Sequence, residues 1–213
     1  MTAEGRTIVL AGGTSAAGIA TARALVGAGA RVIVTGRSES GLGAAQDAGA
    51  ETHVADATSL DDMNGLAGAL ESVDAVIPLV GGWRGGGGLA GQTDEDFAAL
   101  LPALEAGRAT SRAFDSLLRA SDAGRFAIVS STAVARPLAG GANYAAVKAA
   151  SEAWARAVAH GFAKNAREAG EPLRAASVIF RAKALEPKAL SAAVLALWDA
   201  PADELNDRVI ELG

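Results

Sequence analysis

The chain has 213 residues, enough for one sizeable core and short for two. Half of the residues are hydrophobic but only 4% are aromatic, the formal net charge is -5, and there are two histidines and no cysteine. These figures exclude disulfides, thiol catalysis and thiolate metal sites, and they give nucleic acid no electrostatic case.

No apolar run reaches about eighteen residues, so a membrane span is not expected. The N-terminal MTAEGRTIVLAGG has the features of neither a signal nor a transit segment, and a cytoplasmic protein is the default expectation.

In chain order, RTIVLA at 6–11 is a short apolar run before glycines and predicts a buried strand. A helix over 17–27 follows, with Gly29 near its end, then a strand at 31–35 (RVIVT). A weaker helix at 38–48 is interrupted by Gly41 and Gly43. A short strand at 51–55, a helix at about 59–70 and a strand at 73–80 (VDAVIPLV) continue the alternation.

The segment 81–93, GGWRGGGGLAGQT, has seven glycines in thirteen residues and is expected to be a flexible loop. A helix over 94–120, bent or restarted at Pro102, comes next. Then come a strand at 125–130, a long helix at 142–169, a strand at 174–180, a helix at 187–198 and a strand at 207–212. Strands alternating with helices across short connections predict an α/β fold. It would be one doubly wound parallel sheet of about seven strands, flanked by helices, in a single domain over 1–213.

The first turn, AGGTSAAGIA, carries Gly12, Ala16 and Gly18 between strand and helix. Glycine at 12 permits a tight turn, and small residues at 16 and 18 let the backbone approach a pyrophosphate. The open N–H groups of the helix would meet its charge, with Thr14 and Ser15 as added hydroxyl donors. In so glycine-rich a chain a plain turn is the competing reading.

Arg37 follows the second strand where a dinucleotide fold often has a carboxylate, and an arginine suits a 2′-phosphate. NADP(H) is therefore expected ahead of NAD(H), the alternative being an ordinary solvated charge. Asp56, at the end of HVAD, either accepts from an adenine amino group or caps the following helix.

Tyr144 and Lys148 stand four apart and share a helix face. An ammonium beside a phenol favours phenolate, and such a tyrosine can exchange a proton with an alcohol or carbonyl. Ser131, thirteen residues before the tyrosine, can polarise the same substrate oxygen. A Tyr–Lys pair alone is also common on helix surfaces. The weight comes from Ser131 and the first turn beside it.

Along nearly its full length the chain resembles the short-chain dehydrogenase/reductase family. AGGTSAAGIA resembles the family's cofactor turn, with Ala16 at its usual second glycine, and ADAT at 55–58 resembles the adenine-pocket segment. SSTAVARPLAGGANYAAVKAA resembles its serine, tyrosine and lysine stretch, and PKALSAAVLALW and NDRVIELG its last helix and strand.

The resemblance implies a cofactor set of Gly12, Thr14, Ser15, Ala16, Gly18, Ile19, Arg37, Asp56, Ala57, Gly81, Tyr144 and Lys148. It gives Ser131 the polarising role, Tyr144 the acid/base role, and Lys148 the ribose and pKa role. It also implies a homodimer or homotetramer paired through the alanine-rich helices.

Four departures stand out. PLVG at 78–81 replaces an asparagine-rich stretch, and Leu104 falls where the family has a tetrad asparagine. Phe180-Arg181 replaces a proline-glycine, and only about six residues separate Arg181 from Pro187, where the family places a substrate cover.

An open pocket would suit a small-molecule or carrier-attached carbonyl substrate, with Trp83 and Arg84 on the glycine loop as cover. Trp83 is either a substrate platform or a loop anchor. The expected activity is interconversion of a carbonyl and a secondary alcohol. The alternative is a catalytically weak nucleotide-binding protein with a regulatory or scaffolding role. No extra carboxylate base supports an epimerase or dehydratase.

Overall fold

In the computed structural model, which describes residues 2–213, seven strands form one wholly parallel sheet in the order β3-β2-β1-β4-β5-β6-β7. The strands are β1 (Thr7–Ala11), β2 (Arg31–Gly36), β3 (Glu51–Val54), β4 (Ala75–Pro78), β5 (Arg125–Ser131), β6 (Ala176–Ala182) and β7 (Arg208–Leu212). The helices are α1 (Ala16–Gly27), α2 (Gly43–Asp47), α3 (Leu60–Gly68), α4 (Asp94–Leu100), α5 (Pro102–Ala120), α6 (Ala142–Ala169), α7 (Pro187–Leu195) and α8 (Ala202–Leu205). Among the described residues, no helix is long and apolar enough to cross a membrane.

Strand side chains alternate between the sheet's two faces, and both faces are buried. Ile8, Leu10, Val32, Val34, Val178 and Phe180 join one core with α1, α7 and the 3-10 turn after α7, through Leu25, Leu190, Val194 and Trp198. Val9, Ile33 and Ile179 join the opposite core with α3, α5 and α6, through Met63, Leu66, Phe114, Leu118 and Phe162. Large aromatics are few, and alanines such as Ala22, Ala45, Ala106 and Ala155 bring helices close to the sheet.

The expected alternation is present, with local differences. The weak helix at 38–48 is split into a 3-10 turn, Glu39–Gly41, and the short α2, because Gly41 and Gly43 interrupt it. The helix at 94–120 does restart at Pro102, as α4 and α5. β4 is shorter than the apolar run that announced it.

β6 starts at Ala176 and runs two residues past Phe180, pairing Arg181 with Ser130 and Ala182 with Ser131. Only 183–186 then connect it to α7.

A buried arginine fastens the amino ends of the central strands. Arg125 is 0% exposed and donates to the carbonyls of Leu197 (2.7 Å), Gly124 (2.8 Å), Arg174 (3.1 Å) and Ala200 (3.2 Å). Burial pushes its pKa down to about 10. Beside it, Trp198 donates to the Ala123 carbonyl at 3.0 Å and stacks under the Arg6 guanidinium.

Candidate active site

Strand order reverses between β1 and β4, which opens a crevice at the carboxyl ends of the strands, where wound sheets bind ligands. A cleft of about 1320 Å³ occupies that end. Its wall runs from Ser15–Ala17, at the start of α1, past Pro78–Trp83 to Ser131, Tyr144 and Lys148, and on to 182–185.

The first turn is built as its glycines require. Gly12 has φ 69°, a left-handed backbone, and a Cβ there would collide with Val80. Its N–H donates to Thr35 Oγ1 at 2.9 Å. A Cβ at Gly18 would run into the carbonyl of Gly13, a residue the sequence motif did not single out.

Ser15 caps α1 by accepting from Gly18 N at 3.2 Å, and the Ile19 N–H donates to the Ser15 carbonyl. The amides of Ala16 and Ala17 precede that bond, so they are the helix's open donors at the cleft wall. Thr14 lies against Gly36 at the end of β2, and the exposed Arg37 follows.

At the end of β3, Asp56 accepts from Thr58 N (2.9 Å) and Thr58 Oγ1 (2.8 Å). These bonds, with help from the Arg37 charge, hold its carboxyl below the ordinary aspartate range. The cap of α3 is Ser59, accepting from Asp62 N at 3.2 Å, and not Asp56. Ala57 is buried beside it.

Ser131 ends β5, buried, and its Oγ accepts from Ala133 N at 3.2 Å. Its proton is left to donate into the cleft. Lys148 is buried, and its Nζ donates to the Val129 carbonyl at 2.8 Å. It sits 5.8 Å from the centroid of the Tyr144 ring. Burial lowers the Lys148 pKa to about 8.

A second void, ≈ 10 Å³, lies behind the lysine, against Pro78, Leu104, Gly107, Ser151 and Trp154. Leu104 therefore faces Lys148 without any group to bond it. Trp154 is tied away from the chemistry, donating to Ser111 Oγ at 2.9 Å.

Sequence reasoning missed the cluster beneath these residues. Glu152, one turn after Lys148, accepts from Ser130 Oγ (2.7 Å), Arg181 Nε (2.8 Å) and Arg181 Nη2 (2.7 Å). Burial alone would push the Glu152 carboxyl up, but the bonds from Arg181 and Ser130 outweigh it and hold the pKa below the ordinary value. Arg181 thus lashes α6 to β6. The only sequence signal was that an arginine stood in place of proline-glycine.

Gln92 gathers the glycine loop. Its Nε2 donates to the carbonyls of Gly86 and Gly140 (3.1 Å each) and Gly88 (3.3 Å), while its Oε1 accepts from Asn143 N at 3.1 Å. Asn143 Nδ2 also donates to the Thr93 carbonyl at 3.0 Å. The loop therefore rests on the start of the helix that carries Tyr144. Trp83, 64% exposed, lines the cleft, whereas His53 and His160 are exposed outside it.

A family model described as short chain dehydrogenase matches residues 6–166, and the chain belongs to that family. It is accordingly an oxidoreductase of a family whose general chemistry is carbonyl/alcohol redox. No curated protein matches the chain.

Among solved structures, a short chain dehydrogenase/reductase family protein superposes with TM-score 0.83 at 23% identity, over 100% of this chain and 97% of its own. A metagenomic short-chain oxidoreductase in complex with NADP gives 0.81 at 24%, over 99% and 98%. A short chain dehydrogenase from Salmonella enterica serovar Typhi gives 0.80 at 19%, over 98% and 96%. At these identities the likeness speaks for the fold.

Proposed function

We propose that the protein is an NADP(H)-preferring reductase that interconverts a carbonyl and a secondary alcohol, with NAD(H) as the weaker cofactor. One observation carries the reading: Ser131, Tyr144 and Lys148 line the same cleft that reaches the open amides of α1.

The residues present fit a dinucleotide. Gly12 and Gly18 hold the turn close, Thr14, Ser15, Ala16 and Ile19 would hold the pyrophosphate, and Asp56 and Ala57 would hold the adenine. Arg37 would take the 2′-phosphate, and the NADP-bound structural neighbour is in keeping with that choice. Gly81 leaves the floor bare beside Lys148, since even a Cβ there would lie 3.8 Å from Nζ. When bound, the nicotinamide supplies or accepts hydride.

The chain's own residues do the rest. The Ser131 hydroxyl donates to the substrate oxygen and fixes it. Tyr144 gives its phenolic proton to that oxygen in reduction and takes it back in oxidation. Lys148 has spent one N–H on Val129, and its remaining donors serve the ribose and the tyrosine oxygen. The short 183–186 connection covers little of the cleft, so the 81–93 loop acts as a movable cover. The cytoplasm is the expected compartment. Two or four copies would pair through exposed alanines of α6 such as Ala146, Ala150, Ala153 and Ala157.

A second reading, nucleotide binding with little turnover, draws on Leu104, which brings no polar side chain to the void behind Lys148. A carbonyl panel followed by NADPH absorbance separates the two. Turnover that falls about 10²-fold in Tyr144→Phe supports the reductase. NADPH binding by tryptophan fluorescence, with no carbonyl reduced, would leave only the second reading.

A further inference from the structure

The chain as a whole is acidic, with 24 Asp and Glu against 19 Lys and Arg. The cleft reverses that balance. Its charged lining residues are Arg136, Lys148 and Lys183, and no carboxylate lines it. Lys148 is buried and belongs to the reaction. The other two cations are exposed, and among the described residues no carboxylate pairs with either.

Their places in the fold differ. Lys183 lies on the connection from β6 to α7, and α7 packs on α1, whose open amides face the pyrophosphate position. Arg136 lies on the connection from β5 to α6, between Ser131 and Tyr144 in the chain. Its backbone is held. Ser131 caps the 3-10 turn Thr132–Val134, Ala135 N donates to the Thr132 carbonyl at 3.2 Å, and Pro137 follows. The cleft wall that Arg136 shares also carries solvated apolar side chains, with Leu138 70%, Trp83 64% and Leu185 37% exposed.

A cation with no carboxylate partner among the described residues, on a cleft wall that also carries exposed apolar side chains, matches a ligand with an oxyanion and an apolar body. A guanidinium takes a carboxylate or phosphate with two parallel hydrogen bonds.

We propose that Arg136 is a specificity-determining residue, and that the substrate is a carbonyl compound bearing an apolar chain and an anionic group. The inference rests on the carbonyl-reductase reading above. It adds that the anion is held by Arg136, while hydride and proton reach the carbonyl at Ser131 and Tyr144.

The test uses matched ketones that share one apolar chain: an oxo acid, its methyl ester, and the same acyl group on phosphopantetheine. Wild-type protein with NADPH should reduce an anionic member with kcat/KM about 10-fold or more above the ester, a gap of one salt-linked contact. Arg136→Gln should raise KM for that member about 10-fold, with kcat and the ester little changed. Arg136→Lys should recover part of the loss. The preference should shrink from 0.05 to 0.5 M salt, since the contact is exposed.

The oxo acid and the phosphopantetheine thioester separate a carboxylate from a phosphate as the recognised group. Equal loss for ester and anion in Arg136→Gln overturns the proposal, as does a change in NADPH affinity alone, which would move Arg136 to the cofactor. If no ketone is reduced, the reductase reading falls, and the site is judged by binding. Quenching of tryptophan fluorescence by the oxo acid in NADP-loaded protein should weaken about 10-fold in Arg136→Gln. Unchanged binding would refute the anion site by itself.

Discussion

Replacing Lys148 with methionine should alter stability in a way that depends on pH, and the sign follows from the lysine's burial. Its pKa falls from 10.5 to about 8 because the fold strips water from the ammonium. Below pH 8 the lysine is charged both folded and unfolded, so the full burial cost is present. Between pH 8 and 10.5 the unfolded chain binds more protons than the native one, so wild-type stability rises with pH. Above 10.5 the cost is gone.

At about 1.4 kcal/mol per pH unit, the cost relieved is about 3 kcal/mol. The methionine variant lacks this group and loses the bond to the Val129 carbonyl, a penalty that does not vary with pH. The stability of wild type minus variant should therefore climb by about 3 kcal/mol from pH 7 to pH 10.5. For a chain this long that is a relative shift in Tm of about 6–12 °C. Paired urea melts at half-unit steps would measure it, with every other titration cancelling in the difference. A difference flat across that range, or falling with pH, would refute the buried-ammonium account.

Other outcomes follow from the same geometry. Arg125→Met removes the donor to the Leu197, Arg174 and Ala200 carbonyls, while Gly124 keeps the Ala176 N–H, and should cost more than about 2 kcal/mol in denaturant melts, since each orphaned acceptor costs about 1–3 kcal/mol. NADPH affinity at the far end of the sheet should not move. Arg37→Ala should weaken NADPH binding about 10-fold or more and NADH binding hardly at all, as read by calorimetry. Equal losses would remove the 2′-phosphate assignment. Gln92→Ala removes the clasp on Gly86, Gly88 and Gly140. Amide exchange over 86–93 should accelerate about 10-fold if the clasp is worth about 1.4 kcal/mol. Exchange that stays slow in the variant would make the loop a fixed wall and leave Trp83 as an anchor.

Much of this protein was legible in its sequence because the decisive signals are local. Apolar runs ending in glycine or polar turns mark β1, β2, β4 and β5. Their alternation with helices leaves a parallel sheet as the economical arrangement. A glycine turn between β1 and α1 defines one wall of the cleft. Tyr144 and Lys148 share a face because a helix repeats every 3.6 residues or so, whatever packs around it.

Tertiary structure alone decided the surroundings of those groups. Lys148 meets the carbonyl of Val129, nineteen residues away, and Arg125 meets Ala200 across seventy-five. Arg181, which stood only as half of a replacement for a proline-glycine, became part of a longer β6, with Glu152 on α6 taking its charge. Gln92 carried no motif, yet it closes contacts between the glycine loop and Gly140. Backbone geometry repeats along the chain and can be read from spacing. Desolvation and charge pairing depend on which distant residues the fold brings within about 3 Å, the reach of a hydrogen bond, and no spacing encodes that.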